Sequence, residues 1–159
     1  MTFPTLNIKE VRWMADIIPV QQILVPMDFS KCSINALEFA KRIAAGSDAQ
    51  LHLLYADDDP ILMDASTDQS FRDEHQDRMS MRFVNLIPPD ERERFQTVMA
   101  IKLGTAYKVI EDYAEDHGVD LIVMGNVGRS AIANAVLGSV TAHVLRHATC
   151  PVLSVQLKR

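Results

Sequence analysis

Short apolar runs alternate along this chain with segments in which apolar residues recur at helical spacing. Compact runs of this length are typical of strands buried in a sheet. We interpret five of them as strands: 23–26, 51–56, 95–103, 121–124 and 151–155. Helical spacing predicts three helices between them: 30–46, 105–118 and 139–148. Strands separated by helical segments predict right-handed βαβ units and one parallel sheet.

The segment between the second and third strands differs in composition. It opens with three aspartates at 57–59, which we interpret as an acidic turn. Residues 67–86 carry apolar or aromatic side chains at spacings of three or four, which predicts an amphipathic helix. Pro88 and Pro89 are expected to end it, since proline cannot continue a helix interior.

Composition restricts the classes of function that are open to the chain. Its 159 residues are 48% hydrophobic and 23% charged, which suits one globular domain with a sizeable core. The net charge is −5 without a long basic run, so we expect no nucleic acid partner. No apolar stretch approaches the roughly 20 residues of a membrane span, and the first 22 residues lack the pattern of a secretory signal. The two cysteines, Cys32 and Cys150, fit a reducing compartment, and we expect a cytoplasmic protein.

The candidate chemistry follows the fourth strand. Two glycines are separated by two residues, and nine residues later a third glycine precedes a serine; these are Gly125, Gly128, Gly138 and Ser139. Glycines let backbone N–H groups approach an anion without interference from Cβ, and a helix that begins at Ser139 favours phosphate at its N-terminus. The pattern predicts a nucleotide phosphate cradle, divided between this loop and the start of the last helix.

Other candidates also end predicted strands. Asp28 follows the first strand, Tyr55 lies near the end of the second and Gly104 closes the third. The carboxyl ends of parallel strands meet at one rim of the sheet, where ligands bind. Asp28 could instead cap the following helix, Tyr55 could belong to the core, and each glycine alone could serve only a turn.

Histidines at i and i+4 are a further pattern of interest. His143 and His147 share one face of the last helix, but no carboxylate or cysteine motif completes a metal site beside them, so we predict no such site. We interpret Cys32 as a small hydrophobic residue that is buried in the core. The aspartates at 57–59 would oppose phosphate binding unless they point away or hold Mg²⁺.

These patterns resemble the universal stress protein family. The likeness rests on Ile-Leu-Val-Pro-Met-Asp-Phe-Ser at 23–30, on the glycine pattern and on Thr-Cys-Pro-Val-Leu at 149–153. It implies an open α/β fold of five parallel strands with helices on both faces, Rossmann-like and similar to the adenine nucleotide alpha hydrolases. It divides the chain into an N-terminal arm over 1–19 and a universal stress protein domain over 20–159. It also implies bound ATP, or ADP or AMP, with Mg²⁺.

The resemblance assigns ligand contacts to residues from three parts of the chain. Pro26, Met27 and Asp28 would line the adenine and ribose side, with Tyr55 stacked on the base. The remaining contacts would come from the glycine loop and the last helix: Met124, Gly125, Gly128, Gly138, Ser139, Val140 and Thr141. The hydroxyls of Ser139 and Thr141 and the amides of Ser139 and Val140 would bind phosphate oxygens.

The chain departs from the family at two loop positions. Asn126 and Val127 stand where members more often have serine or threonine followed by histidine or arginine. Main-chain contacts survive this change, and Arg129 could supply the positive charge one step later. The arm over 1–19 has no counterpart in a minimal family domain, and its apolar residues suggest a packed segment at a dimer interface.

The resemblance implies an ATP-binding stress-response or regulatory protein that acts as a homodimer joined through the C-terminal strand. Phosphate clamping without a water-positioning group gives slow hydrolysis at most, and we identify no catalytic residue. We therefore expect a nucleotide-dependent switch. Two alternatives stay open. One is a true ATP-cleaving enzyme on the same fold; the other is a nucleotide-free module that binds another protein through its sheet edge and residues 57–90.

Overall fold

The predicted strands form one sheet in the computed structural model, which describes residues 20–128 and 137–157. Within those residues there are five parallel strands: β1 (Gln22–Pro26), β2 (Gln50–Asp57), β3 (Val98–Leu103), β4 (Leu121–Gly125) and β5 (Val152–Val155). Their order across the sheet is β3-β2-β1-β4-β5. Winding therefore reverses between β1 and β4, and sheets of this kind bind ligands in the crevice at such a switch point. The expected arm over 1–19 and Arg129 lie outside the described residues.

Helices cover both faces of this sheet, which confirms the predicted fold class. In the described chain they are α1 (Lys31–Ser47), α2 (Pro60–Met63), α3 (Gln69–Leu86), α4 (Pro89–Arg94), α5 (Ala106–Asp116) and α6 (Ser139–His147). One hydrophobic cluster joins the sheet to α1 and α3, and a second joins it to α5 and α6. None of the described helices is long and apolar enough to cross a bilayer.

The central strands are buried on both faces because their side chains alternate between the two clusters. Ile23 and Val25 pack towards α1, whereas Leu24 between them packs towards α5 and α6. All three are fully buried. Burying such a side chain stabilises the fold by about 1.5–3 kcal/mol. This two-sided burial explains why the strands appear in the sequence as continuous apolar runs rather than as alternating ones.

The first helix begins where the sequence predicts and ends slightly later. The side chain of Ser30 caps α1 by accepting a hydrogen bond of 3.2 Å from the amide of Ser33. Gly46, the predicted end, lies inside the helix. The chain instead turns at Asp48, whose φ of 53° is left-handed. Aspartate tolerates this conformation better than most residues, so it performs the role that we assigned to glycine.

The segment between β2 and β3 contains two short helices that were not predicted. Both α2 and α4 begin with a proline, Pro60 and Pro89, a residue favoured in the first helical turn. The two prolines after α3 therefore end one helix and open the next. The predicted third strand begins three residues too early, because Phe95 terminates α4 and Gln96 has a φ of 47°.

A buried histidine joins β1, β2 and α5. His52 is 4% exposed, its Nε2 lies 2.6 Å from Oε1 of Gln22, and its Nδ1 lies 3.0 Å from the hydroxyl of Tyr113. Since the Gln22 oxygen can only accept, Nε2 carries the proton and Nδ1 accepts from Tyr113. The ring is thus held neutral. Burial, with a smaller contribution from the neighbouring His117, lowers the pKa of His52 below 6.5.

We expect the free energy of unfolding to decrease as pH falls below about 6.5, the ordinary pKa of histidine. With its pKa lowered in the folded state, His52 takes up a proton more readily in the unfolded chain, which acid therefore favours. Urea unfolding of the natural protein and of His52→Gln at pH 7.5 and 5.5 tests this. The variant should lose less stability between the two pH values, and equal losses would contradict the assignment.

Candidate functional site

A cavity of about 740 Å³ opens at the carboxyl ends of β1 and β4, the switch point of the sheet. This volume lies within the range of small-molecule sites, about 300–1,000 Å³. Ten of the twelve predicted site residues line it: Pro26, Met27, Asp28, Met124, Gly125, Gly128, Gly138, Ser139, Val140 and Thr141. The structure thus brings together residues that are more than a hundred positions apart in the chain. Of the other two, Arg129 lies outside the described residues.

Tyr55, the twelfth, does not line this cavity. It is 4% exposed and belongs to the cluster on the α1 and α3 side of the sheet, where its ring centroid lies 5.5 Å from that of Phe29. Leu54, Ala56 and Asp58 line the cavity instead. The two-residue period of a strand places these positions on the face opposite Tyr55. That period was the available signal, and the expectation of a stacking aromatic ring overlooked it.

Asp28 shapes the turn between β1 and α1 while it lines the cavity. Its Oδ1 accepts a hydrogen bond of 2.9 Å from the amide of Ser30, the residue that caps α1. Its Oδ2 faces Gly128, and a Cβ added to that glycine would lie 2.9 Å from it. Asp28 thus lies on the rim of the cavity, whereas the helix cap that we posed as its alternative role is provided by Ser30.

The three glycines of the motif meet different neighbours. A Cβ on Gly125 would lie 2.8 Å from Cβ of Cys32 and 2.9 Å from its carbonyl carbon, so this glycine lets β4 approach the first turn of α1. A Cβ on Gly138 would have its nearest contact at 3.4 Å, with Cα of Val127. None of the three has a left-handed backbone. The three glycines therefore do not all serve the same purpose, because at position 125 the packing of β4 against α1 already requires a glycine.

The start of α6 is held against the end of β4 by two hydrogen bonds. The amide of Gly138 donates to the carbonyl of Asn126 at 2.7 Å, and the Thr141 hydroxyl donates to the carbonyl of Gly125 at 2.9 Å. Thr141 is 3% exposed, so its hydroxyl proton serves the fold and is not available as the predicted phosphate donor.

The first turn of α6 lines the cavity. Gly138 is the N-cap residue, and no side chain in the described part of the protein caps this helix. The first amides of a helix have no partner within it, and the helix dipole makes this end positive. Ser139 and Val140 line the cavity at this end. An anion placed here would be bound by main-chain groups.

The acidic turn at 57–59 places one of its three carboxylates at the cavity. Asp57 is buried on the opposite face, with its Oδ2 2.5 Å from Nε2 of His75. Arg78 donates a hydrogen bond to Nδ1 of that histidine, so Nε2 carries the ring proton and donates a hydrogen bond to Asp57. Asp59 caps α2 through the amide of Ile61 at 2.9 Å. Of the three aspartates, Asp58 therefore lines the cavity. The expected repulsion of phosphate by three aspartates is much reduced.

The cavity wall combines apolar side chains with a few polar groups. Leu54, Ile110 and Met124 supply apolar surface, while Asp28 and Asp58 are the titratable side chains. Among its described lining residues none is lysine, arginine or histidine. Such a site suits a ligand that joins a flat apolar group to a polar, anionic tail.

Comparison with known proteins identifies close likenesses over nearly the whole chain. A sequence profile of the universal stress protein family matches residues 19–156. The universal stress protein Rv1636 of Mycobacterium tuberculosis is 33% identical over 139 residues, which cover 84% of this chain and 94% of that protein. The universal stress protein MJ0577 of Methanocaldococcus jannaschii is 28% identical over 155 residues, which cover 87% and 96%.

Solved structures agree with these sequence matches. The structure of MJ0577 superimposes with a TM-score of 0.76 at 27% identity and covers 89% of this chain and 99% of its own. A universal stress protein in complex with cAMP superimposes with a TM-score of 0.59 at 26% identity and covers 87% and 98%. Fold, glycine pattern and sequence match agree along the same residues, and the chain belongs to the universal stress protein family.

Proposed function

We propose that this protein binds an adenine nucleotide, ATP in particular, and acts as a nucleotide-dependent switch in the response to stress. The observation that carries the proposal is the cavity at the switch point, where an apolar wall meets the first turn of α6, which no side chain of the described residues caps. Phosphates would bind at Gly128 and Ser139, the ribose near Asp28, and the base against Leu54 and Met124. The relative in complex with cAMP supports an adenine ligand on this fold.

Mg²⁺ would accompany the nucleotide. Asp28 and Asp58 both line the cavity, and magnesium is usually held by one or two carboxylates together with substrate phosphates. When bound, the ion would neutralise phosphate charge. This is consistent with a site that lacks a cationic side chain among its described lining residues.

Slow hydrolysis at most is expected from these groups. A water molecule that attacks a phosphate must be oriented, and its proton must be accepted. Asp28 already accepts from the amide of Ser30, Asp58 is assigned with it to Mg²⁺, and among the described lining residues neither histidine, lysine nor cysteine is present. These observations favour a switch over an efficient ATPase, and single-turnover assays with labelled ATP and Mg²⁺ would separate the two.

The proposed dimer uses β5, which is an edge strand of the sheet. An edge strand presents unpaired N–H and C=O groups to which a second strand can be added. Leu153 on this strand is 38% exposed, so a partner would also cover apolar surface. Light scattering at micromolar concentration should give the mass of two chains, and the mass of one would contradict the dimer.

Nucleotide binding is tested on the full chain by calorimetry and thermal unfolding. ATP, ADP, AMP and cAMP should each be titrated with Mg²⁺, with GTP as the control for recognition of the base. At a concentration of 100 times Kd, a ligand stabilises the folded state by about 2.7 kcal/mol. Nucleotide released from purified, denatured protein should be adenine-based. No binding heat, no shift in Tm and no released nucleotide would together favour the nucleotide-free interaction module.

A further inference from the structure

Three side chains suited to a metal ion converge where α5 packs against α6. Glu111 comes from α5, and His143 and His147 come from α6; one ligand atom of each lies within 4.8 Å of the other two. Nε2 of His143 lies 3.6 Å from Oε1 of Glu111. The sequence shows the two histidines but not the carboxylate, which comes from another helix. The structure therefore adds a carboxylate beside a pair for which the sequence indicates none.

His147 is held in the state that suits a metal ligand. Nδ1 of His147 lies 2.9 Å from the carbonyl oxygen of His143, which can only accept, so Nδ1 carries the proton. Its Nε2 is left with a lone pair, the state that binds metal. The two rings stack at 4.2 Å, and Tyr107 packs against His143 at 3.8 Å.

Oε1 of Glu111 lies 3.6 Å from Nε2 of His143, which is too far for a hydrogen bond. This oxygen is buried and accepts no hydrogen bond from the described residues. A buried carboxylate oxygen without such a partner is costly, and a cation would compensate for it. The cluster also lies at the C-terminal end of α6, where the helix dipole favours positive charge.

The donor set selects the class of ion. Zinc bonds of about 2.0–2.1 Å to nitrogen and oxygen place tetrahedral ligands about 3.4 Å apart, close to the separation of His143 and Glu111. Two imidazoles and one carboxylate suit zinc and its neighbours, whereas magnesium and calcium prefer oxygen ligands alone. Three protein ligands would leave one position for water or another ligand.

We propose that Glu111, His143 and His147 bind one divalent cation of the zinc class, at a site separate from the nucleotide cavity. His147 and Ser139 are the two ends of α6. They are eight residues apart, which corresponds to about 12 Å along the helix axis. The metal site is therefore independent of any magnesium that accompanies phosphate, and the two sites can be tested separately.

The test uses full-length, tag-free protein that has been treated with a chelator, in the absence of nucleotide. Calorimetry with Zn²⁺ should show one ion per chain, and Co²⁺ should give the visible bands of a site with nitrogen and oxygen ligands. Glu111→Gln and His147→Ala should each weaken Zn²⁺ binding at least about tenfold, since loss of an outer partner alone costs about 10–100-fold. Circular dichroism verifies that both variants are folded.

Matched controls lie on α5 and just after α6. Glu115→Gln removes an exposed carboxylate of α5 and Cys150→Ser removes the partly buried thiol; both should bind Zn²⁺ as the natural protein does. Affinity unchanged in Glu111→Gln and His147→Ala, or no stoichiometric binding, would show that the cluster is an ion pair only and overturn the proposal. Glu111→Gln should bind ATP normally, so failure of the metal site and failure of the nucleotide site are distinguishable.

Discussion

Gly128→Val should weaken ATP binding by at least about 100-fold, which corresponds to about 2.7 kcal/mol. Gly128 lies on the exposed rim between Asp28 and the first turn of α6. A Cβ there would meet Oδ2 of Asp28 at 2.9 Å, and the two further methyl groups of valine would occupy space proposed for phosphate. Because the position is exposed, the free energy of unfolding should change by less than about 1 kcal/mol.

Calorimetry with ATP and urea unfolding on the same preparation measure both effects. Gly128→Ala provides an intermediate step, since a single methyl group meets only the carboxylate end of Asp28, which can turn aside. Gly46→Ala is the matched control: nothing lies within 4 Å of a Cβ at that position, and ATP affinity should not change. If Gly128→Val binds ATP with the affinity of the natural protein, the phosphates do not lie at this loop.

Much of the fold could be predicted because the strands are buried on both faces. Continuous apolar runs such as the one at Ile23–Val25 are strong local signals, and the helical spacing between them fixes a parallel sheet. The short helices α2 and α4 were missed because a proline that opens a helix resembles one that ends it. The late start of β3 depends on the left-handed backbone conformation of Gln96, and glutamine is not a residue type that indicates such a turn in a sequence.

The candidate site could be located from sequence but not resolved into the role of each residue. Parallel topology alone brings Asp28 to the same rim as Gly128. The face of the sheet that Tyr55 occupies depends on strand register. The atoms that would collide with a side chain at a glycine position depend on the packing of a helix that is distant in sequence. The Thr141 hydroxyl illustrates the same limit, since its acceptor on Gly125 exists only once α6 has docked.

Gly125→Ala should lower the free energy of unfolding by about 1–3 kcal/mol, the usual cost of overpacking a core, with Gly125→Val at or above the upper end. The added Cβ would lie 2.8 Å from Cβ and 2.9 Å from the carbonyl carbon of Cys32, and 3.1 Å from the amide nitrogen of Ser33. Two of these three atoms are backbone, so relief requires moving α1 away from β4 rather than turning a side chain aside.

That displacement would also disturb two contacts of the same residue. The carbonyl of Gly125 accepts from Thr141, and Gly125 pairs in register with Val155 of β5. Gly46→Ala, inside α1 with open space around its Cβ, should instead stabilise the protein by about 0.5–1 kcal/mol. Urea unfolding compares the three proteins. A Gly125→Ala variant as stable as the natural chain would show that α1 can recede from β4 at little cost, and the requirement for glycine there would then lie with the ligand.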